Sequence, residues 1–486
     1  MNNNSKTKAF ETCLLATMAA TNWTHDYASA QISDARARLG ISYNDYIKYS
    51  MWEVPVEEQS ARYKAALARK ERKKLAKQMY IAKTAEKSGW TQEYAAEEMK
   101  RTCDRLGITY SNFYRFELYS VPDEDRDSFY QEKTAAAKKQ KASDERKEAL
   151  ELRTAYLQKL MKATGWSEEE AESKIADARK VVGTPPKYNY FYKEYFLYRL
   201  YEMTAEEQKN VLLLFHSWML TERYNVNHDF IILTNYKDES NFYFSKFLKR
   251  NWCINTLVSE EEFIDCFRDS QKIIYKPIAG HKGEGVLSFI TTPDTIRDTY
   301  KTLSELPNGV VEEYVIQHPD LTSLCPSSVN TLRVVTVSSK TKAVTPDGEK
   351  IDVAYASLRI GSGDSVVDNF SSGGMVALVD MDTGKLMTRA TDADANIFSH
   401  HPVTGVQIKG FQVPLFKEAV NLAKEACKMS LVEGYLGWDI AITENGPVLI
   451  EVNKNPGIVL ISTPASAEGM GMKQVLTKYL WQEECR

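Results

Sequence analysis

Transition-metal chemistry has little to work with in this sequence. No Cys-x-x-Cys or His-Glu-x-x-His spacing occurs, and only seven histidines are spread over 486 residues, so a zinc-type site is not expected. His281 reads as a solvated loop-tip residue and His400–His401 as a loop pair. Cysteine is equally sparse: seven, placed singly between Cys13 and Cys485, which excludes a disulfide framework. No apolar run reaches the roughly eighteen residues of a membrane span. The opening MNNNSKTKAFETCLLATMAA lacks the apolar stretch and cleavage site of a secretory leader. A cytoplasmic protein without membrane insertion is the expectation. An excess of one charge is missing too: 62 Lys and Arg stand against 66 Asp and Glu, so nothing draws the whole chain to nucleic acid or anionic lipid.

What is present is core material, 43% hydrophobic with 11% aromatic residues, enough for two or three domains. The first two hundred residues repeat internally. Trp23-Thr24 to Val54-Pro55 aligns without gaps onto Trp90-Thr91 to Val121-Pro122, and a diverged copy with an insertion near Pro185-Pro186 runs from Gly165-Trp166-Ser167 to Met203. Each unit reads as a Ser/Thr N-cap, a helix, a Gly C-cap and an aromatic helix. This predicts an all-α repeat domain over 1–210, with units at about 22–59, 89–126 and 165–208. Aromatics three apart form one helical face, which core packing between repeats accounts for. A helix-turn-helix DNA reader is not expected, because the second helix is rich in Tyr and Phe and in the first two copies carries only Lys48 and Arg115 as basic residues. The basic stretches Arg62–Lys77 and Lys133–Arg153 read as solvated amphipathic helices. An adaptor that docks a protein, a carrier or a glycan precursor is the functional expectation for these repeats.

The second half is organised differently. Lys272-Ile-Ile-Tyr-Lys276-Pro277 is a β-rich run, followed by a Gly-rich tip with Gly280, Lys282, Gly283 and Gly285. Glycines there let backbone N–H groups approach phosphates, and Lys276 supplies a point charge. Next come Gly309-Val-Val-Glu312-Glu313-Tyr314-Val315 and then Asn330-Thr-Leu-Arg333-Val-Val-Thr-Val337. The apolar neighbours of Arg333 argue for burial, and a buried Arg requires an anionic partner. Near the end, Asp439 closes one apolar run, while Glu451 and Asn453 alternate out of Val448-Leu-Ile-Glu-Val-Asn. Residues i and i+2 of a strand share a face, and the turn Glu444-Asn-Gly-Pro447 can bring Asp439 to the same end. Three oxygen ligands at one place suit Mg²⁺ bridging nucleotide phosphates.

These segments, in this order, resemble the ATP-grasp family, and most closely its sugar-transfer-associated branch. The resemblance rests on YKP at 275–277, the Gly-rich loop 280–286, EEYVIQHPDL at 312–321 and SVNTLRVVTV at 328–337. It continues through DNFSSGGMVALVD at 368–380, YLGWDIAI at 435–442 and GPVLIEVNKNPG at 446–457. The implied fold is α+β, two subdomains sandwiching a nucleotide over about 225–475, behind the helical repeats. The resemblance makes Lys276 the phosphate lysine, Glu312 the partner of the adenine amino group, and the backbone around Tyr314 and Val315 the partner of the ring edge. Gly280, Lys282, Gly283, Gly285 and Glu313 complete the nucleotide pocket, with His318 or Asp320 near the ribose. Asp439, Glu451 and Asn453 are the implied ligands of two Mg²⁺ ions, with Mn²⁺ as the alternative. Arg333 stabilises the transferring phosphoryl group, Asn330 or Arg359 holds the acceptor, and Asn369 with Gly373-Gly374 lines the acceptor side. One departure stands out: Asn241 occupies the position of an upstream nucleotide lysine, leaving Lys237 or Lys246 to replace it.

The implied activity is an ATP-dependent, ADP-forming ligase joining a carboxylate to an amine or hydroxyl through an acyl phosphate. Its setting would be cell-surface polysaccharide or precursor modification. The alternatives are a kinase of a small-molecule hydroxyl, a peptide-tailoring ligase and a nucleotide-binding regulator without turnover.

Overall fold

The computed structural model describes residues 3–21, 23–48, 51, 56, 59–185, 188–225, 234–278, 284–338, 351–363, 370, 373–429 and 434–480. Contacts divide the chain into two compact units, Ala66–Gln158 on the one hand and Met1–Ala65 with Lys159–Arg486 on the other. The helical region expected over 1–210 is therefore shared between them. The Val54-Pro55 ending of the first sequence copy and Pro186 of the insertion lie outside the described residues.

Each sequence copy opens on a helix of fifteen residues: His25–Leu39, Gln92–Leu106 and Glu168–Val182. The side chains of Thr24, Thr91 and Ser167 accept the backbone N–H three residues on, satisfying a donor that the first turn leaves orphaned. At the other end Gly40, Gly107 and Gly183 adopt φ of +66°, +64° and +71°, a left-handed turn that ends each helix. Short aromatic helices follow at Tyr43–Lys48, Tyr110–Arg115 and Phe191–Leu197. Their rings go inward: Tyr46 and Phe113 are fully buried, the first with Ile32 and Ala35, the second with Met99 and Cys103.

Among the described residues the strands form two antiparallel sheets. The smaller has the order β1-β4-β2-β3, with β1 Trp252–Ile254, β2 Lys272–Pro277, β3 Leu287–Ile290 and β4 Gly309–Glu313. Helices Glu260–Phe267 and Ile296–Glu305 cover one face, burying Phe263, Phe267 and Leu303 against Ile273 and Val311. Each such ring or aliphatic side chain contributes about 1.5–3 kcal/mol.

The larger sheet has the order β11-β10-β5-β6-β7-β8-β9. Its main strands are β5 Thr331–Ser338, β6 Ile351–Ile360, β7 Met375–Val379, β10 Gly434–Thr443 and β11 Gly446–Asn453; β8 and β9 are the pairs Ala390–Thr391 and Ile397–Phe398. β5 is buried along its whole length, as a central strand covered on both faces must be. On one face helix Phe416–Met429 packs Ala419, Ala423 and Ala426 against Val334, Trp438 and Val452. On the other, helices Leu214–Tyr224 and Val459–Ala467 pack Leu220, Ile461 and Ala465 against Val335, Tyr355 and Tyr435. The expected turn is in place, with Thr443 opposite Gly446.

The third helical segment is tied to this sheet through Glu194. Its buried carboxylate accepts Tyr188 Oη at 2.6 Å and the Leu214 backbone N–H at 2.6 Å, which anchors the start of helix Leu214–Tyr224. Burial outweighs these donors and pushes the Glu194 carboxyl up to about 7. The acid is therefore favoured in the folded chain, and that contribution is lost as pH rises through neutrality. Relative to Glu194→Gln, the native chain should lose about 3 kcal/mol of stability between pH 4.5 and pH 8. Urea unfolding of both proteins across this interval checks it, and parallel curves would refute the assignment.

Candidate nucleotide site

A cleft of about 430 Å³ opens between the two sheets, within the size of small-molecule sites. β2, β3 and β4 form one wall, and β5, β6, β10 and β11 the other.

On the first wall the chemistry centres on Glu312. It lies opposite Trp252 on one side and Ile274 on the other, in the middle of its sheet, and is 3% exposed. Its Oε2 receives Lys276 Nζ at 2.7 Å and Arg250 Nη2 and Nε at 2.8 and 3.1 Å, while Oε1 receives Asn241 Nδ2 at 2.8 Å. Burial by itself would raise this carboxyl, but Arg250 and Lys276 outweigh it and hold it well below the usual range. A base amino group, the partner implied for Glu312, would have to share Oε1 with Asn241. Asn241 thus takes a structural role at the upstream lysine position. Lys237 lines the same wall, whereas Lys246 lies over the Phe247 ring and does not line the cleft among the described residues. Burial depresses the Lys237 ammonium, Lys276 depresses it further, and Glu451 and Glu312 partly compensate. Two part-buried ammoniums within each other's field favour an anion between them.

Glu313, Tyr314 and Val315 also line the cleft. The Glu313 carboxylate is engaged by Asn251 N at 2.7 Å and Ser270 Oγ at 2.8 Å, and the Tyr314 N–H donates to Lys272 O at 2.9 Å. Gly285 has φ +71°, and a Cβ there would stand 2.9 Å from Pro277 Cγ. Gly280, His281, Lys282, Gly283 and Asn369 lie outside the described residues.

The second wall is set by register. Glu451, Asp439, Arg333 and Ser357 stand opposite one another in turn across β11, β10, β5 and β6, and directly opposed residues of antiparallel strands share a face. In the next row Gly437 faces Asn453. A Cβ at Gly437 would meet Arg333 Cδ at 3.0 Å and Pro456 Cβ at 2.7 Å, so the missing side chain is what gives the arginine room. Arg333 grips Asp439 with Nε and, at 2.8 Å, with Nη2, while its Nη1 donates to Pro456 O at 2.9 Å. Arg359 Nη1 reaches Asp439 Oδ2 at 2.9 Å, and Asn453 Nδ2 reaches the same oxygen at 3.2 Å. Burial would raise the Asp439 carboxyl, yet the two guanidiniums keep it lowered.

The structure thus brings Lys276, Glu312, Glu313, Tyr314, Val315, Arg333, Arg359, Asp439, Glu451 and Asn453 to one cleft. Several expected residues are elsewhere, and Gly285, expected in the nucleotide pocket, does not line the cleft. Asn330 is fully buried and spends its amide on Gln317 Oε1, Leu321 O and the Gly361 N–H, so it clamps the loop before β5 and cannot hold an acceptor. His318 caps helix Pro319–Leu324 through the Asp320 N–H, and Asp320 is exposed on that helix; neither lines the cleft among the described residues. Gly373 and Gly374 are described but do not line it either. Arg250 is the residue that sequence reasoning overlooked. Its only signal is the Lys249-Arg250 pair just before Asn251-Trp252-Cys-Ile, which becomes informative once β1 is known to pair with β4.

For a divalent cation the donors are unequal. Among the described residues no three His, Cys, Asp or Glu side chains stand close enough together to hold a metal. Asp439, expected as a ligand, is taken up by two guanidiniums. Glu451, exposed at the cleft, and the Asn453 amide oxygen remain. This set fits a Mg²⁺ that brings phosphate oxygens with it, because Mg²⁺ is commonly held by one or two carboxylates plus substrate phosphates.

Two sheets closing on a cleft of this composition define an ATP-grasp fold. The model of the sugar-transfer associated ATP-grasp family matches residues 214–478, and the chain belongs to that family. Among solved structures it is similar to the D-alanine-D-alanine ligase from Coxiella burnetii, with 12% identity over 52% of this chain and 58% of that one and a TM-score of 0.31. It is also similar to the ADP complex of N5-carboxyaminoimidazole ribonucleotide synthetase (11%, 49% and 52%, 0.31) and to a RimK domain ATP-grasp protein from Sphaerobacter thermophilus (11%, 53% and 71%, 0.30). The chain spans between half and three fifths of the first two structures. No curated protein matches it.

The Glu312 cluster has a measurable consequence. Glu312→Ala leaves Arg250 and Lys276 without their shared carboxylate and should cost about 3–5 kcal/mol. The depressed carboxyl contributes stability above its ordinary value of 4.5 that is lost as pH falls below it. Acid unfolding should therefore be shallower in Glu312→Gln than in the native chain. Thermal unfolding at pH 7 and pH 4 tests both statements.

Proposed function

We propose that the protein is an ADP-forming ligase that activates a carboxylate with ATP and transfers the acyl group to an amine or hydroxyl. The observation that carries this reading is the cleft itself, with Lys276 on the smaller sheet and Lys237 at the start of helix Lys237–Tyr243 facing Arg333, Arg359 and Glu451 on the larger sheet. Family membership supports ATP as the nucleotide. The acid's oxygen attacks the γ-phosphorus and ADP leaves; the nucleophile then attacks the acyl carbon of the acyl phosphate, gives up a proton and expels inorganic phosphate. Little covalent chemistry falls to the protein, so positioning and charge neutralisation dominate.

In this reading Lys276 and Lys237 hold phosphate oxygens, and Arg359, at the open side of the Asp439 pair, orients the acid or the transferring phosphoryl group. Arg333 is the fixed positive charge behind it. Glu451 and the Asn453 oxygen would hold Mg²⁺, which when bound neutralises charge on the phosphates. The family's description points to a sugar-containing precursor as the natural setting, and the helical region serves as the adaptor that presents it.

ADP release should require an acid and a nucleophile together, and product mass should equal their sum less water. ADP formed with a hydroxyl compound alone would make the protein a kinase, and tight nucleotide binding without ADP under any substrate pool would make it a regulator. Glu451→Ala should lower turnover at least about a hundredfold with the thermal transition preserved. Lys276→Ala should chiefly raise the KM for ATP, by about tenfold. Normal turnover in the Glu451 variant would count decisively against the assignment.

A further inference from the structure

Two thiols meet on the face of the smaller sheet that its helices cover. Cys253, on β1, is 8% exposed and belongs to the core beneath helix Glu260–Phe267, with Phe263, Phe267 and Val311. Cys266, half-buried in the last turn of that helix, packs against the same core. Two residues ahead of Cys253, Asn251 holds strand and helix together. Its Nδ2 donates to Cys266 O at 3.0 Å and to Glu313 Oε1 at 3.2 Å, and its backbone N–H donates to Glu313 Oε2 at 2.7 Å. Within this frame the Cys253 S–H donates to the Cys266 sulfur. Both cysteines are free. The two sulfurs are not equivalent. The bond from Cys253 lowers the Cys266 thiol, with burial and Glu313 working against it, while the same bond and burial raise Cys253. Burial pushes the Cys13 and Cys103 thiols up to about 11, which makes those two inert by comparison. A partly accessible thiolate in contact with a second thiol is the arrangement that oxidation selects.

We propose that Cys266 and Cys253 form a reversible oxidation site, in which Cys266 reacts with a peroxide and Cys253 resolves the product into a disulfide. The Cys266 thiolate attacks one peroxide oxygen, the O–O bond breaks, and the departing hydroxide takes up the thiol proton as water. Cys266 is left as a sulfenic acid. The Cys253 sulfur then attacks the Cys266 sulfur, and its proton goes to the leaving hydroxyl, so an S–S bond forms and a second water departs. Two thiols are oxidised by two electrons and one peroxide is reduced to two waters; an external dithiol reverses the change. The crosslink ties β1 to helix Glu260–Phe267, beside the strand that carries Glu312. It concerns the frame of the first wall and is independent of the nucleotide reading.

The test treats the full-length protein with equimolar hydrogen peroxide, blocks the remaining thiols with N-ethylmaleimide and maps the peptides by mass spectrometry. The native chain should yield a peptide pair joined through Cys253 and Cys266, two hydrogens lighter than the separate peptides, which dithiothreitol returns to free thiols. Cys13 and Cys103 should stay reduced. Cys253→Ser should stop at a sulfenic acid on Cys266, trapped as its dimedone adduct. In Cys266→Ser, the remaining Cys253 should react with peroxide at least about tenfold more slowly than Cys266 does in Cys253→Ser. Absence of the Cys253–Cys266 link, while Cys13 or Cys103 is oxidised, overturns the proposal. Equal peroxide reactivity of the two sulfurs in the single variants overturns their assigned roles. If either variant fails to fold, the peptide map of the native chain still decides whether the site exists.

Discussion

The second wall of the cleft depends on a buried ion pair between adjacent strands, Arg333 on β5 and Asp439 on β10. Removing either partner would leave the other charge uncompensated in a region where both are nearly inaccessible, a cost of several kcal/mol. Fold and site are thus coupled at one point. The pair requires β5 to lie between β10 and β6, because that order puts Arg333 opposite Asp439 and brings Arg359 within reach of the same carboxylate. It also requires Gly437, whose missing side chain is the space Arg333 occupies.

The first wall is built on the same plan with different residues. Glu312 is buried with Arg250 and Lys276 around it, as Asp439 is with Arg333 and Arg359. Each cluster joins one buried carboxylate to two cations. In both clusters one cation is deep and fixed, Arg250 or Arg333, and the other, Lys276 or Arg359, stands at the cleft. The deep cation alone is enough to keep its carboxylate paired. Neither acid depends on its shallower cation alone. An isolated Lys–Glu pair of equal burial would not offer this.

Much of this was legible in the sequence where the signal is local. Helix caps at Thr24, Thr91 and Ser167 follow from residue types two or three positions apart. The turn before β11 and the shared face of Glu451 and Asn453 follow from the period of a strand. Burial of Arg333, and its need for an anion, followed from Val334, Val335 and Val337. What stayed hidden involves partners far apart in the chain. The Arg250–Glu312 pair spans sixty-two residues and depends on β1 joining β4. Asn330 looked available because its neighbours are strand-like, yet its amide closes the loop between Gln317 and Gly361. Asp439 had the right residue type and position for a metal ligand. Only the strand order shows that two arginines meet there first.

The third helical segment bears on the site by direct contact. Glu194 holds the first N–H of helix Leu214–Tyr224, and Ser217 on that helix donates to Asn455 Oδ1 at 3.1 Å. Asn225, just past the helix, holds the Tyr435 backbone on both sides and also donates to Lys454 O. Lys454, Asn455 and Pro456 form the turn that follows Asn453, and Arg333 anchors it from the sheet side through Pro456 O. A displacement of the helix start would be transmitted to the residues beside Glu451 through direct hydrogen bonds. The segment that begins at Trp166 therefore forms part of the support of the cleft.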